Sequence, residues 1–501
     1  MVVTCGQMRD AEEAAFARGI CAADLMEAAG QGMARAVSQF FPRAGHLVLY
    51  LGKGNNAGDA LVAARHLADR GWRLWARPVF DVREFKELPA RHWKSLGEKV
   101  RVVESADAIA QLEGEVVLLD GLLGIGATGP LRGKLADAVR EMNQLRRSRH
   151  AVIIALDLPS GLEAGGGREE QNCIAADFTF TVGLAKDILL RDEATDVVGR
   201  LVVIPLRELD GATGDASRRV LTPPVLLPML PRRNFDFHKG DAGRVGVVAG
   251  SRGFLGAAIL CATGALRVGA GLVSLFVKEN EYEMIASLSP PEIMVHAVKD
   301  YREVLQAKLD ALALGPGLGA AHDDELLELV KAAEIPTVVD ADALNALARR
   351  GLDELKHSSA PRLLTPHPGE MARLAQHEKA WRDKGRAELA AAFAAKFPGT
   401  VLLLKGARTV IASAAQPLSF NTTGHPGMAT GGVGDVLCGL CAALAGQGVS
   451  LADAACLGSW LSGRAAEIAL RDGWRSPESL SAGDVAQHLG AALVSLRAMA
   501  F

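Results

Sequence analysis

Residues 424–435 read GHPGMATGGVGD, and the mostly apolar run VLCGLCAALA follows at residues 436–445. The apolar run predicts a helix that has Gly434 and Asp435 at its N-terminus, where free N–H groups and the helix dipole favour an anion. Glycines let those N–H groups approach a ligand without an intervening Cβ. We therefore predict that Asp435 takes a proton from a hydroxyl while the amides hold the phosphoryl group that the hydroxyl attacks. The alternative is a tight turn with Asp435 as a helix cap.

The composition is that of an ordinary globular protein with several domains. The chain has 501 residues, with 49% hydrophobic and 23% charged residues, and this length predicts about two to four domains. The formal net charge of −3 gives no general attraction for nucleic acid or an anionic membrane, so we expect neither as a partner. A polar, acidic N-terminus without an apolar run of membrane length favours a cytoplasmic protein.

The seven cysteines predict reduced thiols rather than a disulfide framework, because they are few for a chain of this length. Cys438 and Cys441 have the spacing of a redox pair, but both lie inside the apolar run 436–445. We interpret them as small core residues.

A second glycine-rich turn lies near the N-terminus, after two helices predicted at residues 9–19 and 22–40. A short strand is predicted at 46–51, followed by GKGNNAGD at 52–59 and a helix from about residue 60 to residue 70. Strand, polar glycine loop and helix form the unit that binds phosphate or a dinucleotide at the C-terminal end of a parallel sheet. The adjacent amides of Asn55 and Asn56 strengthen this interpretation, since they offer both donors and acceptors.

Further buried strands are predicted in the first half, and polar residues follow several of them. Asp120, Asp157 and Lys186 each come at or soon after the end of an apolar run. Because the C-terminal ends of parallel strands meet at one edge of a sheet, we expect these side chains to line one crevice. The predicted strands are residues 72–80, 115–119, 151–156, 178–181 and 201–204.

A second alternation of strands and helices follows a segment rich in glycine and proline. Residues 211–233 lack a sustained period and are predicted to be an exposed linker between domains at 1–210 and 234–501. Each strand of the second half leads into glycine or polar residues, which predicts a second crevice. These strands are predicted at residues 244–249, 311–314, 337–339, 363–365 and 401–404.

The first half resembles the N-terminal domain of the bifunctional NAD(P)H-hydrate repair enzymes, through NNAGD at 55–59, the loop after Asp120 and DLPSG at 157–161. The resemblance implies an α/β class and a Rossmann-like three-layer α/β/α domain in residues 1–210. It also implies an epimerase that interconverts the R and S hydrates of NADH and NADPH. The residues it implies for hydrate binding are Asn55, Asn56, Ala57, Gly58, Asp59, Gly124, Ile125, Gly126, Ala127, Thr128, Gly129, Pro130 and Asp157.

The same resemblance implies a potassium ion coordinated by Asn56, Asp120 and Ser160. Amide, carboxylate and hydroxyl oxygens are suitable ligands for a hard cation. Epimerisation requires hydroxide to leave and water to return on the other face of the ring, so an acid/base group is needed. Asp157 and Lys186 are the candidates.

The second half resembles the ADP-dependent NAD(P)H-hydrate dehydratase of that family, through HKGD at 238–241, GPGLG at 315–319, TPHPGE at 365–370, KGART at 405–409 and the 424–435 run. The resemblance implies a ribokinase-like α/β/α domain in residues 234–501. There, ADP phosphorylates the hydrate's hydroxyl, phosphate departs, and AMP remains.

The resemblance also implies roles for residues of the second half. Asp435 would be the base, and Mg²⁺ would lie at the phosphates. The hydrate would contact Ala257, Gly319, His367 and Asp435, and the adenine nucleotide would contact Lys405, Gly406, Ala407, Arg408, Thr409 and Gly434. We also expect a homo-oligomer.

Two other functions stay open at this point. A small-molecule kinase of the ribokinase-like class, fused to a non-catalytic dinucleotide-binding domain, would share Asp435 and its loop. Alternatively, the first domain binds nucleotides without catalysis, which the alanines at 57 and 60 motivate because the family usually has glycine there.

Structural roles also stay open for four polar residues of the second half. His367 can brace a turn between its two prolines, and Lys405 can be solvated at a strand end. Asp340 and Asp342 can cap the helix that follows them.

Overall fold

The computed structural model describes residues 1–127, 129–162, 173–209, 211, 213–376, 378–381, 383–472 and 475–501. Thr128, one of the predicted hydrate-binding residues, lies outside these ranges. The chain divides into two compact units, Met1–Ala216 together with Phe501, and Ser217–Ala500. In the described ranges, no helix combines the length and apolar character needed to cross a membrane.

Parallel strands form the centre of the first unit. They are β1 (Val2–Val3), β2 (His46–Leu51), β3 (Arg73–Pro78), β4 (Val100–Val102), β5 (Val116–Gly121), β6 (Val152–Leu156), β7 (Phe178–Val182), β8 (Ala185–Lys186) and β9 (Arg200–Ile204). The main sheet has the order β4-β3-β2-β5-β6-β7-β9, and β1 pairs with β8. Every residue of β2 and β5 is buried, as expected for a sheet covered on both faces.

Helices cover both faces of this sheet. They are α1 (Cys5–Ala17), α2 (Ala22–Phe40), α3 (Asn55–Ala68), α4 (Glu87–Leu96), α5 (Ala106–Ala110), α6 (Lys134–Arg149) and α7 (Thr195–Val198). Leu47 and Leu49 of β2 share a core with α2 and α3. Val48 and Tyr50 point to the other face and share a core with α6, because successive strand residues alternate. The three-layer prediction is therefore confirmed.

The predicted polar loop 52–59 is shorter than expected. Helix α3 begins at Asn55, with Gly54 as its N-cap, so the prediction of a helix starting near residue 60 is wrong by more than one turn. Ala57 and Ala60 are fully buried. Their burial against the sheet stabilises the first turns of the helix, although the sequence there contains glycine and two asparagines.

The second unit is built on a mixed sheet. Its strands are β10 (Arg218–Val220), β11 (Arg244–Val248), β12 (Leu272–Lys278), β13 (Ile293–Val298), β14 (Ala311–Leu314), β15 (Thr337–Val339), β16 (Arg362–Leu364), β17 (Thr400–Leu404), β18 (Val410–Ser413) and β19 (Gln416–Phe420). Their order is β10-β19-β18-β17-β16-β15-β14-β11-β12-β13. From β17 to β13 the neighbouring strands are parallel, so their C-terminal ends share one edge.

The helices of the second unit are α8 (Pro223–Leu226), α9 (Leu255–Arg267), α10 (Tyr282–Leu288), α11 (Asp323–Ala332), α12 (Ala341–Arg350), α13 (Pro368–Ala375), α14 (Arg386–Lys396), α15 (Val433–Gly446), α16 (Leu451–Arg471) and α17 (Ala482–Arg497). The helix predicted at 436–445 is confirmed and is one turn longer. Cys438 and Cys441 are fully buried in it, as predicted, and all seven cysteines are free thiols.

Part of the segment predicted as an exposed linker, 211–233, contributes to the second unit. Residues Arg218–Val220 pair in parallel with β19, and Leu221 and Leu226 are buried in the core of this unit. These apolar residues lie among prolines, and the proline content led to the prediction of a linker. Otherwise, the predicted domain boundaries stay predictions.

Candidate active sites

The first candidate site brings together the residues predicted to bind potassium. Asp120, at the end of β5, accepts hydrogen bonds from Ser160 Oγ at 2.7 Å and from the Ser160 amide at 2.8 Å. Asn56, in the first turn of α3, donates through Nδ2 to Leu123 O at 2.8 Å. Burial raises the pKa of Asp120 to about 6, although its hydrogen bonds oppose this shift. The arrangement concentrates oxygen atoms around a buried carboxyl group that a cation would help to ionise.

Asp157 and Lys186 form a buried ion pair beside this cluster. Lys186 Nζ lies 2.5 Å from Asp157 Oδ1 and also donates to Thr181 Oγ1 at 3.0 Å and Val182 O at 2.8 Å. These three contacts match the three hydrogens of an ammonium group. Asp157 itself has a φ of 66°, a left-handed conformation that non-glycine residues adopt at a cost and that often occurs at functional sites.

Apart from Asp157, the described residues that are predicted to bind the hydrate in the first unit occupy two neighbouring segments. Residues 55–59 form the first turns of α3, and a Cβ placed on Gly124 would lie 3.7 Å from the Asn56 side chain. Ile125 follows Gly124 and is partly exposed, whereas Gly126, Ala127, Gly129 and Pro130 are exposed. The loop after β5 therefore borders the start of α3 and is open to solvent.

Two carboxyl groups near Asp157 were not predicted to act as acids. Burial raises the pKa of Asp59 well above its usual range, with further contributions from Asp157 and Glu12. The pKa of Glu12, on α1, is also raised by burial and then by Asp157. Glu12 lies more than forty residues before the nearest predicted site residue. Nothing in the sequence pattern connects that helix to this crevice.

The second candidate site is centred on Lys405, immediately after β17. Its Nζ donates to Asp340 Oδ1 at 2.9 Å and lies 3.9 Å from Glu370 Oε2. Burial alone would lower the pKa of Lys405, but Asp340 and Glu370 together raise it. The interpretation of Lys405 as a solvated residue is therefore wrong. Asp340 precedes α12 without capping it through its side chain, so the capping interpretation is also wrong for Asp340.

Asp435 lies in the first turn of α15, as predicted. The N-cap of this helix is Gly432, whose φ of 91° is left-handed, and it makes no side-chain capping bond. The first turn of a helix leaves its N–H groups without intrahelical acceptors, so the amides near Gly434 are suited to an anion. Burial raises the pKa of Asp435 to about 7, and Asp340 adds to this shift while Lys405 opposes it. A carboxyl group with this pKa is suited to general base catalysis near neutrality.

The residues predicted to contact the hydrate lie along the same edge of the sheet. The Gly319 amide donates to Asp342 Oδ2 at 2.8 Å, which gives Asp342 a role at this loop. A Cβ on Gly317 would lie 3.0 Å from the Cβ of Ala257 in the first turn of α9. His367 Nδ1 accepts from the Gly369 amide at 3.0 Å and caps α13. Its turn-bracing role is therefore confirmed, and its contact with substrate stays a prediction.

Arg386 donates hydrogen bonds to the backbone at the start of the predicted nucleotide loop 405–409. Arg386 Nη2 donates to Lys405 O at 3.0 Å, and a Cβ on Gly406 would lie 2.3 Å from the same nitrogen. Glycine at 406 is thus the residue that permits this contact. Ala407 is exposed, Arg408 is buried, and Thr409 Oγ1 donates to Gly406 O at 3.2 Å. These contacts form a compact turn between β17 and β18.

The charges at the second site suit a cation bound together with a polyphosphate. Asp340 and Glu370 lie beside Lys405, and these two acids together with Asp342 raise the pKa of Asp435. In the described ranges, no group of three histidine, cysteine or acidic side chains converges closely enough to enclose a metal ion. Magnesium usually takes one or two carboxylates together with substrate phosphates and water, and this donor set fits that mode.

Both halves of the chain match known families. Residues 22–188 match the family described as the YjeF-related protein N-terminus, and residues 245–488 match the NAD(P)H-hydrate dehydratase family. The two matches occur in the order predicted from the two resemblances.

Relatives with both domains are similar to this chain over nearly its full length. The bifunctional NAD(P)H-hydrate repair enzyme Nnr of Moorella thermoacetica is 40% identical over 495 residues, which cover 93% of this chain and 91% of that protein. The Escherichia coli K12 enzyme of the same name is 34% identical, with 92% and 88% coverage. The solved ADP/ATP-dependent NAD(P)H-hydrate dehydratase of Bacillus subtilis is 30% identical and covers 55% of this chain and 98% of its own, with a TM-score of 0.48.

Proposed function

This chain belongs to the family of bifunctional NAD(P)H-hydrate repair enzymes, and from that premise we propose how its two units divide the work. The protein epimerises the R and S hydrates of NADH and NADPH and dehydrates the S form to NAD(P)H at the expense of ADP, giving AMP and phosphate. The first unit performs the epimerisation, and the second performs the dehydration, in the cytoplasm. The observation that carries the dehydratase assignment is Asp435, a carboxyl group with a pKa of about 7 at the N-terminus of α15.

In the first unit, Asp59 and Asp157 are the acid/base pair. Burial raises the pKa of Asp59, which favours the protonated form of its carboxyl group, so this group is suited to give a proton to the departing hydroxyl group. The described donors to Asp157, among them Lys186, all contact Oδ1, and Oδ2 accepts a proton from the returning water. Lys186 is then a positioning residue that balances the charge of Asp157 rather than a proton donor, because its three hydrogens are already directed to protein oxygens.

Potassium fits the oxygen cluster of Asn56, Asp120 and Ser160. The Asp120 carboxyl group is fully buried and accepts hydrogen bonds from Ser160 and the Leu122 amide, all of them neutral donors of the described residues. A bound potassium ion would supply positive charge at that carboxylate and fix the start of α3 against the loop after β5. The hydrate then lies between residues 55–59 and the described residues 124–127, 129 and 130.

In the second unit, Asp435 takes the proton from the hydrate's hydroxyl while ADP supplies the phosphoryl group. The amides near Gly432–Gly434 hold that phosphoryl group, and Lys405–Thr409 with Gly434 hold the adenine nucleotide. Ala257, Gly319, His367 and Asp435 face the hydrate. Phosphorylation converts hydroxide, a poor leaving group, into phosphate. Departure of phosphate, together with loss of a proton from the adjacent ring carbon, regenerates the dihydropyridine ring. Magnesium held by the phosphates and the acidic cluster would offset the charge that accumulates there.

The test supplies purified protein with hydrated NADH and ADP and follows the recovery of NADH absorbance. Recovery that depends on ADP supports the dehydratase. No recovery with ADP or ATP, together with phosphorylation of a vitamin precursor, would support a kinase fused to a binding domain. Starting from the pure R hydrate tests the first unit, because conversion no faster than the spontaneous exchange would leave it with binding alone.

A further inference from the structure

A cavity of about 330 Å³ lies at the C-terminal ends of β11, β12 and β13. It is lined by Gly250 and Ser251 after β11, by Lys278 and Glu281 at the end of β12 and after it, and by residues that follow β13. The residues predicted to bind the nucleotide or to act on the hydrate are not among its lining residues. The proposed reaction therefore leaves this cavity without a role.

One wall of the cavity is a rigid polar network. Glu325 accepts hydrogen bonds from Lys278 Nζ at 2.7 Å, from the Tyr301 amide at 2.6 Å and from His322 Nδ1 at 3.0 Å. Burial alone would raise the pKa of Glu325, but these bonds lower it. Lys278 also lies over the Tyr301 ring at 4.4 Å. The charges of this wall are thus satisfied by one another.

Glu281 differs from that wall because its carboxylate retains capacity to accept. It is buried, with 8% of its surface exposed, and it lines the cavity. Within the described ranges, this carboxylate accepts a hydrogen bond from Asn280 Nδ2, at 2.9 Å from Oε1. A carboxylate accepts about four hydrogen bonds. A buried acid in this condition is suited to a ligand that brings hydroxyl or amino donors.

The position of Glu281 in the fold indicates which hydrogen-bond donors a ligand would bring to its carboxylate. Strand β11, the glycine loop at 250–256, helix α9 and strand β12 form a parallel β-α-β unit. In dinucleotide-binding units of this kind, an acid after the second strand accepts hydrogen bonds from a ribose. Glu281 follows β12 by three residues and lines the same cavity as Gly250 and Ser251.

Ser251, which lines the cavity, also contacts the loop that is predicted to hold the hydrate. Ser251 Oγ donates to Gly317 O at 2.8 Å, and a Cβ on Gly319 would lie 4.0 Å from Ser251 Oγ. Asp340 follows β15, and β12 is three strands away in the sheet order, which corresponds to about 14 Å at the usual strand spacing. A ribose-pyrophosphate-ribose bridge can cover a separation of that order.

We propose that this cavity binds the adenosine-side ribose of the hydrated dinucleotide, with Glu281 accepting hydrogen bonds from the ribose hydroxyls. The proposal rests on the proposed dehydratase function of the second unit. A phosphate on the 2′ oxygen would remove one of these donors and bring negative charge to a buried carboxylate. The second unit therefore prefers hydrated NADH to hydrated NADPH.

The test compares Glu281→Gln with Glu279→Gln in the full chain. Glu279 lies in the same short turn but is exposed and outside the cavity lining. The control Glu279→Gln therefore makes the same change in side chain and charge outside the cavity. Dehydratase KM and kcat are measured for both hydrates at saturating ADP. In Glu281→Gln, we expect the KM for hydrated NADH to rise on the order of tenfold, the loss typical of a hydrogen bond to a charged group. We expect kcat, the KM for ADP and the KM for hydrated NADPH to change little.

Several results would overturn the assignment of the ribose to this cavity. The first is a wild-type preference for hydrated NADPH, as expected if Lys299 held the 2′-phosphate. The second is a rise in KM in Glu281→Gln that is equal for the two hydrates. The third is a rise in the KM for hydrated NADH in Glu279→Gln that equals the rise in Glu281→Gln. If the wild-type protein dehydrates neither hydrate, the proposed function fails, and calorimetric titration with NADH then decides about the cavity. A binding event that is present in wild type and Glu279→Gln but lost in Glu281→Gln supports the cavity, and unchanged binding in all three overturns it.

Discussion

Lys405 Nζ lies 2.9 Å from Asp340 Oδ1, and a Cβ on Gly434 would come within 3.2 Å of the same nitrogen. The ion pair therefore packs directly beneath the first turn of α15. The Asp340 side chain is 2% exposed and the Lys405 side chain 20%. Because Asp340 contributes to the raised pKa of Asp435 and Lys405 opposes it, the pair also adjusts the charge of the predicted base.

Gly434→Ala should weaken the use of ADP. The new Cβ would lie 3.2 Å from Lys405 Nζ, so the ammonium group would have to shift by a few tenths of an ångström within the predicted nucleotide site. We expect a higher KM for ADP with epimerase activity unchanged. Gly431→Ala is the matched control, since a Cβ there meets nothing within 4 Å. Equal KM values for the two variants would contradict the role of Gly434.

Asp435→Asn should lower the dehydratase kcat by about 10²–10⁴, the usual contribution of a general base. Asparagine keeps the shape of the side chain but cannot take the proton. Binding of ADP, measured by calorimetry, and epimerisation of the R hydrate should both be retained, and they serve as internal controls. Dehydration at the wild-type rate would remove Asp435 as the base.

The dehydratase rate should rise with pH around a midpoint of about 7, because Asp435 must lose its proton to act as a base. Asp340→Asn should move that midpoint down, since removing a negative neighbour makes the Asp435 anion easier to form. Asp342→Asn should move it in the same direction by less. The measurement is kcat against pH at saturating ADP. A midpoint that stays in place in both variants would show that another group controls the profile.

Lys186→Met should destabilise the first unit by about 3–5 kcal/mol, because it leaves the Asp157 charge buried without its partner. The double change Lys186→Met with Asp157→Asn should recover much of this loss while epimerisation remains absent. Native-state hydrogen exchange in β7 and β8 reports the effect within the full chain, and dehydratase activity is the control. A small effect of Lys186→Met alone would show that water replaces the ammonium group.

Epimerisation should depend on potassium and lose that dependence in Ser160→Ala. Ser160 Oγ is both a predicted ligand and the donor to Asp120 Oδ1. Activation by potassium should weaken as the pH falls below about 6, where Asp120 becomes protonated. Initial rates in potassium chloride and sodium chloride give the comparison. Ser148→Ala, an exposed serine of α6, is the control, and an identical potassium response in the two variants would contradict the site.

The sequence was most informative where a pattern is local. The apolar runs 311–314 and 337–339 predicted strands with the bounds that the structure has. The start of α3 at Asn55 was missed, because glycine and asparagine are poor helix formers in isolation and burial of Ala57 against the sheet decides the outcome. Local propensity carries no information about that burial.

The partners of site residues were predicted less well, since they depend on contacts between distant segments. Asp340 and Lys405 are 65 residues apart, and each alone has an ordinary alternative as a helix cap or a solvated side chain. The influence of Glu12 on Asp59 joins α1 to α3. Charge coupling of this kind follows from the assembled sheet edge and not from spacing along the chain.

Ala341 has a φ of 48° and separates the two acids that face different parts of the second site. Asp340 turns to Lys405, and Asp342 turns to the Gly319 amide. A single left-handed residue thus separates the acid that contacts the predicted nucleotide loop from the acid that contacts the predicted hydrate loop. If each loop holds its predicted ligand, we expect that binding of one ligand changes the affinity for the other, by the same factor in either order of addition.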